Sequence, residues 1–280
     1  MKQNRGRNVN LSDNTGVHRW HMPDYASPAI DMHAHPPLDK SRTESMLAAA
    51  RESGIERIIL SSLGQAEMQP FPSVAEVRCC NREVCDLVDR HPGFVYGLAY
   101  VNPNHLETQA VLGETLQHPG IVGVKLWISC RDDLGRLDPV YPVLDAAVAR
   151  DIPVLCHTFY RTGGNLPGEL SPADVVDFSR RYPTAKLIMA HLGGQWLRGI
   201  RAVKSCPNVW VDFSGSRAYL GSVENAVNTL GAERVLFGSD AYIRHFSAML
   251  TKVVAAQLSV AQKRRILWDN SAALFFGENN

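Results

Sequence analysis

The chain has no surplus of charge of either sign. Its 29 lysines and arginines face 28 aspartates and glutamates, leaving a net charge of +1, and no block of like charges occurs. A nucleic-acid partner would need a basic footprint, so none is expected. No uncharged apolar stretch approaches the ~20 residues of a membrane span. The basic start, Met1 to Arg7, runs into polar Asn10 to Asn14 where a secretory signal would place an apolar segment. Six cysteines are present, none in a Cys-x-x-Cys pair. A chain of 280 residues needs no disulfide staples, so free, mostly buried thiols in a reducing compartment are expected. Together these absences predict a soluble, cytoplasmic protein that acts on a small molecule, away from membranes.

Two rhythms divide the chain. Residues 1–27 are rich in Asn, Arg and Ser with no sustained period; they read as an N-terminal arm that could swap between the subunits of a homodimer. From residue 28 to 280 the pattern is that of one domain. Short apolar runs fall at 29–34, 57–61, 94–100, 121–127, 152–157, 186–191, 208–213 and 234–239. Between them lie stretches with helical spacing at 43–52, 74–90, 105–116, 140–150, 172–182 and 223–230. Gly or Pro punctuates the helix ends, as at Ser53-Gly54, His91-Pro92-Gly93 and Tyr182-Pro183. Ser171-Pro172 reads as an N-cap followed by Pro at the first helical position. Strand and helix in eightfold alternation predict an α/β fold, a (β/α)8 TIM barrel. The last amphipathic stretch, 260–276, is expected to close the barrel floor or pack beside the first strand.

In such a barrel, ligands gather at the C-terminal ends of the strands. Those positions hold His33 and His35, Lys125 and Trp127, His157, His191, Asp212 and Asp240. Strand alternation places His33 and His35 on one face of the first strand, with Ile30, Met32 and Ala34 on the other. On the fourth it turns Gly123, Lys125 and Trp127 inward and Val122, Val124 and Leu126 outward. The same rule turns His157, His191 and Asp240 inward, with Val154, Cys156, Ile188, Ala190, Val235 and Phe237 outward. Unpaired charge inside a barrel is costly, and a metal ion removes that cost. Imidazole and carboxylate suit a divalent metal such as Zn²⁺ with room left for a water, which can ionise near pH ~7 when metal-bound. Asp240 beside it could take that proton and return it to a leaving group. Tyr160 and Arg161, just past the fifth strand, are candidate contacts for an anionic substrate. Gly193-Gly194 could admit a ligand close to the backbone or simply turn into the next helix.

The runs Asp31-Met-His-Ala-His35, Gly123-Val-Lys-Leu126, His157 after a strand, Ala190-His-Leu-Gly-Gly194 and Leu236-Phe-Gly-Ser-Asp240 resemble the amidohydrolase superfamily. Within it they are most similar to the amidohydrolase-related branch (amidohydrolase family 2) of TIM-barrel metal-dependent hydrolases and decarboxylases. The resemblance spans about residues 29–245. It implies that His33, His35, His157 and Asp240 bind the metal and that His191 assists catalysis or polarises the substrate. Lys125 would then be a carboxylated metal bridge or an ammonium offered to substrate; Trp127, Tyr160 and Arg161 are substrate-contact candidates by their positions alone. The leading expectation is a metal-dependent hydrolase of an ester, lactone or cyclic amide of a small organic acid, with metal-bound water as nucleophile and Asp240 as general base and acid. The alternative is non-oxidative decarboxylation of an aromatic or unsaturated carboxylic acid, with Asp240 or His191 protonating carbon. A metal-free lactonase and a binding scaffold on the same barrel are more distant readings. A nuclease is disfavoured by the missing Gly-Glu-x-Gly run.

Overall fold

The computed structural model describes residues 28–64, 71–215, 217 and 219–278; the expected arm at 1–27 lies outside them. Eight strands form one parallel sheet in sequence order: β1 (Ala29–Ala34), β2 (Ile55–Leu60), β3 (Val95–Val101), β4 (Ile121–Leu126), β5 (Val154–Cys156), β6 (Leu187–Met189), β7 (Val209–Asp212) and β8 (Val235–Leu236). The two edges meet through the segment after β8, where Met32 N–H donates to the Phe237 carbonyl at 3.1 Å and Asp240 N–H to the His33 carbonyl at 2.8 Å. The eight apolar runs of the sequence therefore become the eight staves of a TIM barrel. β5, β6 and β8 are shorter than their runs because the residues beyond them leave the ladder to build the site.

Around the barrel lie α1 (Thr43–Glu52), α2 (Val74–Arg90), α3 (Thr108–Thr115), α4 (Tyr141–Ala149), α5 (Pro172–Arg181), α6 (Trp196–Ala202), α7 (Ser222–Leu230) and α8 (Phe246–Val254). Two helix starts show the local logic. Ser73 accepts from Glu76 N–H while Glu76 accepts from Ser73 N–H at 2.6 Å, a reciprocal cap that satisfies the free donors of α2. Ser171, before Pro172, directs both its N–H (2.7 Å) and its hydroxyl (2.8 Å) onto Asp174. The final stretch is broken: α9 (Val260–Arg264), a π-turn over Arg265–Asp269, and α10 (Asn270–Phe276). Ala272, Leu274 and Phe275 of α10 join Ile30, Met32, Ile59, Leu98, Leu155, Ile188 and Leu236 in a cluster inside the lower barrel, so this stretch does close the floor. A second, larger cluster lies between strands and helices and takes Ala34, Leu60, Val124, Leu126, Cys156, Met189, Val211 and Phe237.

These two clusters correct the expected facing on three strands. Ile30 and Met32 lie inside, as do Ile188 and Ala190, while Val122 packs against the inner cluster. On β1 the cause is a bulge: Asp31 pairs with Ile58 but Ala34 with Leu60, so three steps on β1 span two on β2. The extra residue lets Met32 face the floor and His33 the site, on the same side of the sheet. On β4 a similar shift lies opposite Gly97 and Leu98. On β6 the strand stops at Met189, and His191 (φ 59°) and Leu192 (φ 50°) turn left-handed, which swings the imidazole inward after two residues that face the floor. All six cysteines are free, and Cys80, Cys130, Cys156 and Cys206 are buried. Among the described residues, no helix is long and apolar enough to cross a membrane.

Candidate metal centre

The upper barrel interior holds His33, His35, Lys125, His191, Asp212 and Asp240, all buried, with His157 at the border of full burial. Burial of so much polarity is tolerable only if each group finds a partner. Every histidine does so in the same manner: one ring nitrogen meets a group that accepts. His33 Nδ1 lies 2.9 Å from Asp212 Oδ2, and His35 Nδ1 lies 2.7 Å from the Ser61 carbonyl. His157 Nε2 lies 2.9 Å from Glu169 Oε1, and His191 Nδ1 lies 2.9 Å from the Ser214 carbonyl. A carbonyl or carboxylate oxygen only accepts, so those nitrogens carry the ring protons. In the neutral ring, the other nitrogen is then a bare lone pair.

All four lone pairs point inward, and three of them meet other acceptors. His157 Nδ1 lies 3.3 Å from His191 Nε2, and His35 Nε2 lies 3.3 Å from Asp240 Oδ1. Acceptor against acceptor is stable only with a cation between or beside them, either a proton or a metal ion. Burial works against the proton: it pushes the His33 imidazole down to about 3, helped by the Lys125 charge, and the His157 imidazole down to about 4. The donor set thus fits a metal. His33, His35 and Asp240 each offer one atom, all mutually within 4.8 Å. A second group, His33, His191 and Asp212, is equally close, but Asp212 is already committed. It accepts from His33 Nδ1, from His191 N–H (3.0 Å) and from the Ser214 N–H (2.8 Å) and hydroxyl (2.6 Å). These donors, outweighing burial, hold its carboxyl well below the usual range; it orients the centre from behind.

Three of the four expected ligands therefore fall into one compact group, and His157 stands across the His191 ring from His33. The centroid of His191 is 5.1 Å from each of the other two. Asp240 reaches the group from a left-handed residue (φ 62°), a conformation that costs non-glycine residues energy and recurs at functional sites. Burial alone would raise its carboxyl; the imidazoles of His35, His191 and His33 around it prevail and hold it well below the usual range. Behind it, Asp31 accepts from Ser239 N–H (2.9 Å) and hydroxyl (2.5 Å) and from His33 N–H (3.2 Å), tying β1 to the Asp240 turn. Gly215 (φ 60°) explains itself here: a Cβ would stand 2.3 Å from Asp240 Oδ2 and 3.0 Å from His191 Nδ1.

The remaining sequence candidates separate. Lys125 is fully inside; its Nζ lies 2.8 Å from His33 Nε2, so the ammonium donates to that lone pair. Burial brings it down to about 8 against the pull of Asp240 and Asp212. Trp127 is buried with Leu63, Val77 and Tyr100, its ring centroid 6.4 Å from that of His157. Tyr160 and Arg161 line a cleft of about 540 Å³ beside the centre, together with Phe159, Trp196, Arg198 and Tyr219. Phe159 is the shared wall, its ring centroid 5.1 Å from His157 and 5.0 Å from His191. Gly194 makes room for that ring and not for a ligand, since a Cβ there would lie 2.4 Å from Phe159 Cδ1. Arg161 is spent on Glu169, in a two-pronged pair with both contacts at 2.7 Å. Arg198, stacked over the Tyr160 ring at 4.5 Å, has no carboxylate partner among the described residues. Glu169, Phe159 and Arg198 carry no strand-end signal and escape a reading built on strand ends.

The sequence profile of amidohydrolases matches residues 30–277. No curated protein matches the chain in sequence. Among solved structures, 5-carboxyvanillate decarboxylase from Sphingomonas paucimobilis superposes with a TM-score of 0.70 at 14% identity, over 89% of this chain and 98% of that one. A dihydroxybenzoic acid decarboxylase from Polaromonas, with bound manganese and 2-nitroresorcinol, gives 0.67 at 17% identity, over 89% and 97%. A 4-oxalomesaconate hydratase from Rhodopseudomonas palustris gives 0.66 at 14%, over 88% and 95%. At such identities the likeness is one of fold.

Proposed function

The chain belongs to the amidohydrolase family, and from that premise we propose that it is a metal-dependent, non-oxidative decarboxylase of an aromatic or unsaturated carboxylic acid. This reverses the order expected from sequence, where hydrolysis led. The observation that carries the reversal is the cleft. Its flat walls, Phe159, Tyr160, Trp196 and Tyr219, run onto the His157–His191 pair, and Arg198 waits in it as a cation. Aromatic walls with an arginine favour a planar anion. Two of the similar structures named above are decarboxylases of aromatic acids, which supports the same order.

A second reason lies in His191. Its ring proton is directed at the Ser214 carbonyl, so the neutral ring has no inward N–H with which to polarise a scissile carbonyl. Decarboxylation asks instead for a proton at carbon: the carbon–carboxylate bond breaks, CO₂ leaves, and the carbon takes one proton from solvent by way of the site. A proton taken up at His191 Nε2 or at Asp240 would face the interior, where that carbon must lie. Lys125 would steady the substrate carboxylate, and Arg198 an anionic group further out.

His33, His35, His157 and Asp240 would hold the ion, with Lys125 yielding its hold on His33 Nε2. Imidazole and carboxylate donors suit Zn²⁺ and Mn²⁺ alike, and manganese in the Polaromonas decarboxylase puts Mn²⁺ beside Zn²⁺ as a candidate. When bound, a divalent ion would supply Lewis-acid stabilisation to a substrate oxygen. Hydrolysis of an ester, lactone or cyclic amide is the second reading, favoured by one observation: Asp240 stays ionised beside His35, as a general base must.

The deciding experiment loads the protein with Mn²⁺ or Zn²⁺ and offers hydroxybenzoates and unsaturated acids in parallel with lactones and aryl esters. CO₂ release that stops on chelation is the expected result. Ester or lactone cleavage without CO₂ would move the protein to the second reading.

A further inference from the structure

The loop after β5 holds a carboxylate with no part in the proposed reaction. Glu169 has a fully buried side chain, twelve residues beyond His157 and outside every strand. It makes four contacts. Oε1 accepts from His157 Nε2 at 2.9 Å and from Arg161 Nη2 at 2.7 Å; Oε2 accepts from Arg161 Nε at 2.7 Å and from Leu166 N–H at 3.0 Å. Held by four donor contacts in all, two of them from the Arg161 guanidinium, the carboxylate is fixed in direction, with one oxygen aimed at an imidazole.

We propose that Glu169 is a positioning residue for the metal centre: it fixes the His157 ring so that Nδ1, and not Nε2, is the nitrogen offered to the ion. The inference rests on the reading of His157 as a ligand. An isolated imidazole carries its proton on either nitrogen, and here the choice decides whether a lone pair faces inward. A buried carboxylate that only accepts draws the proton to Nε2 and holds the ring plane at once. Such outer partners orient ligating histidines generally, and their loss typically lowers metal affinity about 10–100-fold. Arg161 gains a different meaning as well. Its guanidinium neutralises Glu169, which lets an anion sit beneath the cleft without repelling an anionic substrate. Arg161 is thus part of the scaffold, and the anion-binding role falls to Arg198.

The test separates the pull on His157 from the stapling of the loop. Nitrogen-15 histidine NMR of the metal-free protein, with His157 assigned through His157→Gln, should show a single tautomer protonated at Nε2. Glu169→Leu should give a mixture of tautomers and a loss of Mn²⁺ affinity of about 10–100-fold by chelator competition. Glu169→Gln keeps an acceptor for the ring and should recover the tautomer and part of the affinity, a rescue that remains readable if the leucine variant fails to fold. Arg161→Gln leaves the Glu169–His157 bond and should change neither tautomer nor affinity. An unchanged tautomer and affinity in both Glu169 variants would overturn the positioning role alone, and so would an equal loss of affinity in Arg161→Gln. Wild-type protein that binds no Mn²⁺ would overturn the ligand reading and this proposal with it.

Discussion

The lower and upper halves of the barrel interior are built from the same strands and follow opposite rules. Below, Ile30, Met32, Leu155, Ile188 and Leu236 meet Leu274 and Phe275 of α10 in an apolar cluster; nothing there needs a specific partner, and burial itself stabilises. Above, one residue further along β1 and two beyond Leu155 on the fifth strand, His33 and His157 are useful only because each has a particular acceptor behind it. The floor favours folding. The site costs stability, through left-handed residues at His191 and Asp240 and through lone pairs that face one another. The floor therefore has to offset what the site costs.

The sharpest way to break this contrast is Asp240→Asn. Turnover should fall by about 10²–10⁴-fold, while the metal-free protein unfolds at the same temperature or higher, because the amide N–H can donate to the His35 lone pair that the carboxylate cannot satisfy. A lower melting temperature would mean that Asp240 serves the fold. Leu155→Ala is the mirror image. It should cost about 2–5 kcal/mol in denaturant unfolding and leave metal stoichiometry intact, and loss of metal would show that the halves are not separable.

Acid sharpens the contrast by a smaller amount. His157, held at about 4 in the fold, titrates near 6.5 once unfolded. Between those values the unfolded chain binds more protons, so stability present above about pH 6.5 drains away as pH falls toward 4. Each pKa unit is worth about 1.4 kcal/mol. Urea titrations of metal-free protein across that window should show it, and His157→Gln should flatten the slope; an unchanged slope would place the acid sensitivity elsewhere. The smallest effect belongs to the cleft. Arg198→Gln should raise KM roughly tenfold for an acidic substrate with kcat unchanged, whereas a drop in kcat alone would put Arg198 in the chemistry.

Much of this division is legible in the sequence. The alternating runs place eight strands, and strand ends alone single out His33, His35, Lys125, His157, His191 and Asp240, because in a parallel barrel the end of a strand is a position in space. Facing is a different matter. Strict alternation assigns Met32, Ile188, Ala190 and Val122 to the outside, whereas the structure turns them toward the floor, since a bulge on β1 and a left-handed turn after β6 reset the count. His33 and His191 reach the interior by irregularity, whereas His157 follows the pleat, with Leu155 inside and Cys156 outside before it. α8 was within reach, with Phe246, Met249, Leu250 and Val253 buried at helical spacing. Glu169 was not: it lies in a loop, and only the fold brings it beneath His157.

The bulge on β1 has a final consequence. A pleat works as a reading frame of two, in which floor and site side chains would be separated by an outward residue; the extra residue at 31–34 is a frameshift that lets Met32 and His33 be read consecutively on one side. Removing one residue from that segment would restore strict alternation there and turn the His33 imidazole toward the helices. The strand would still be a strand and the barrel still a barrel, but its message to the metal would be out of phase.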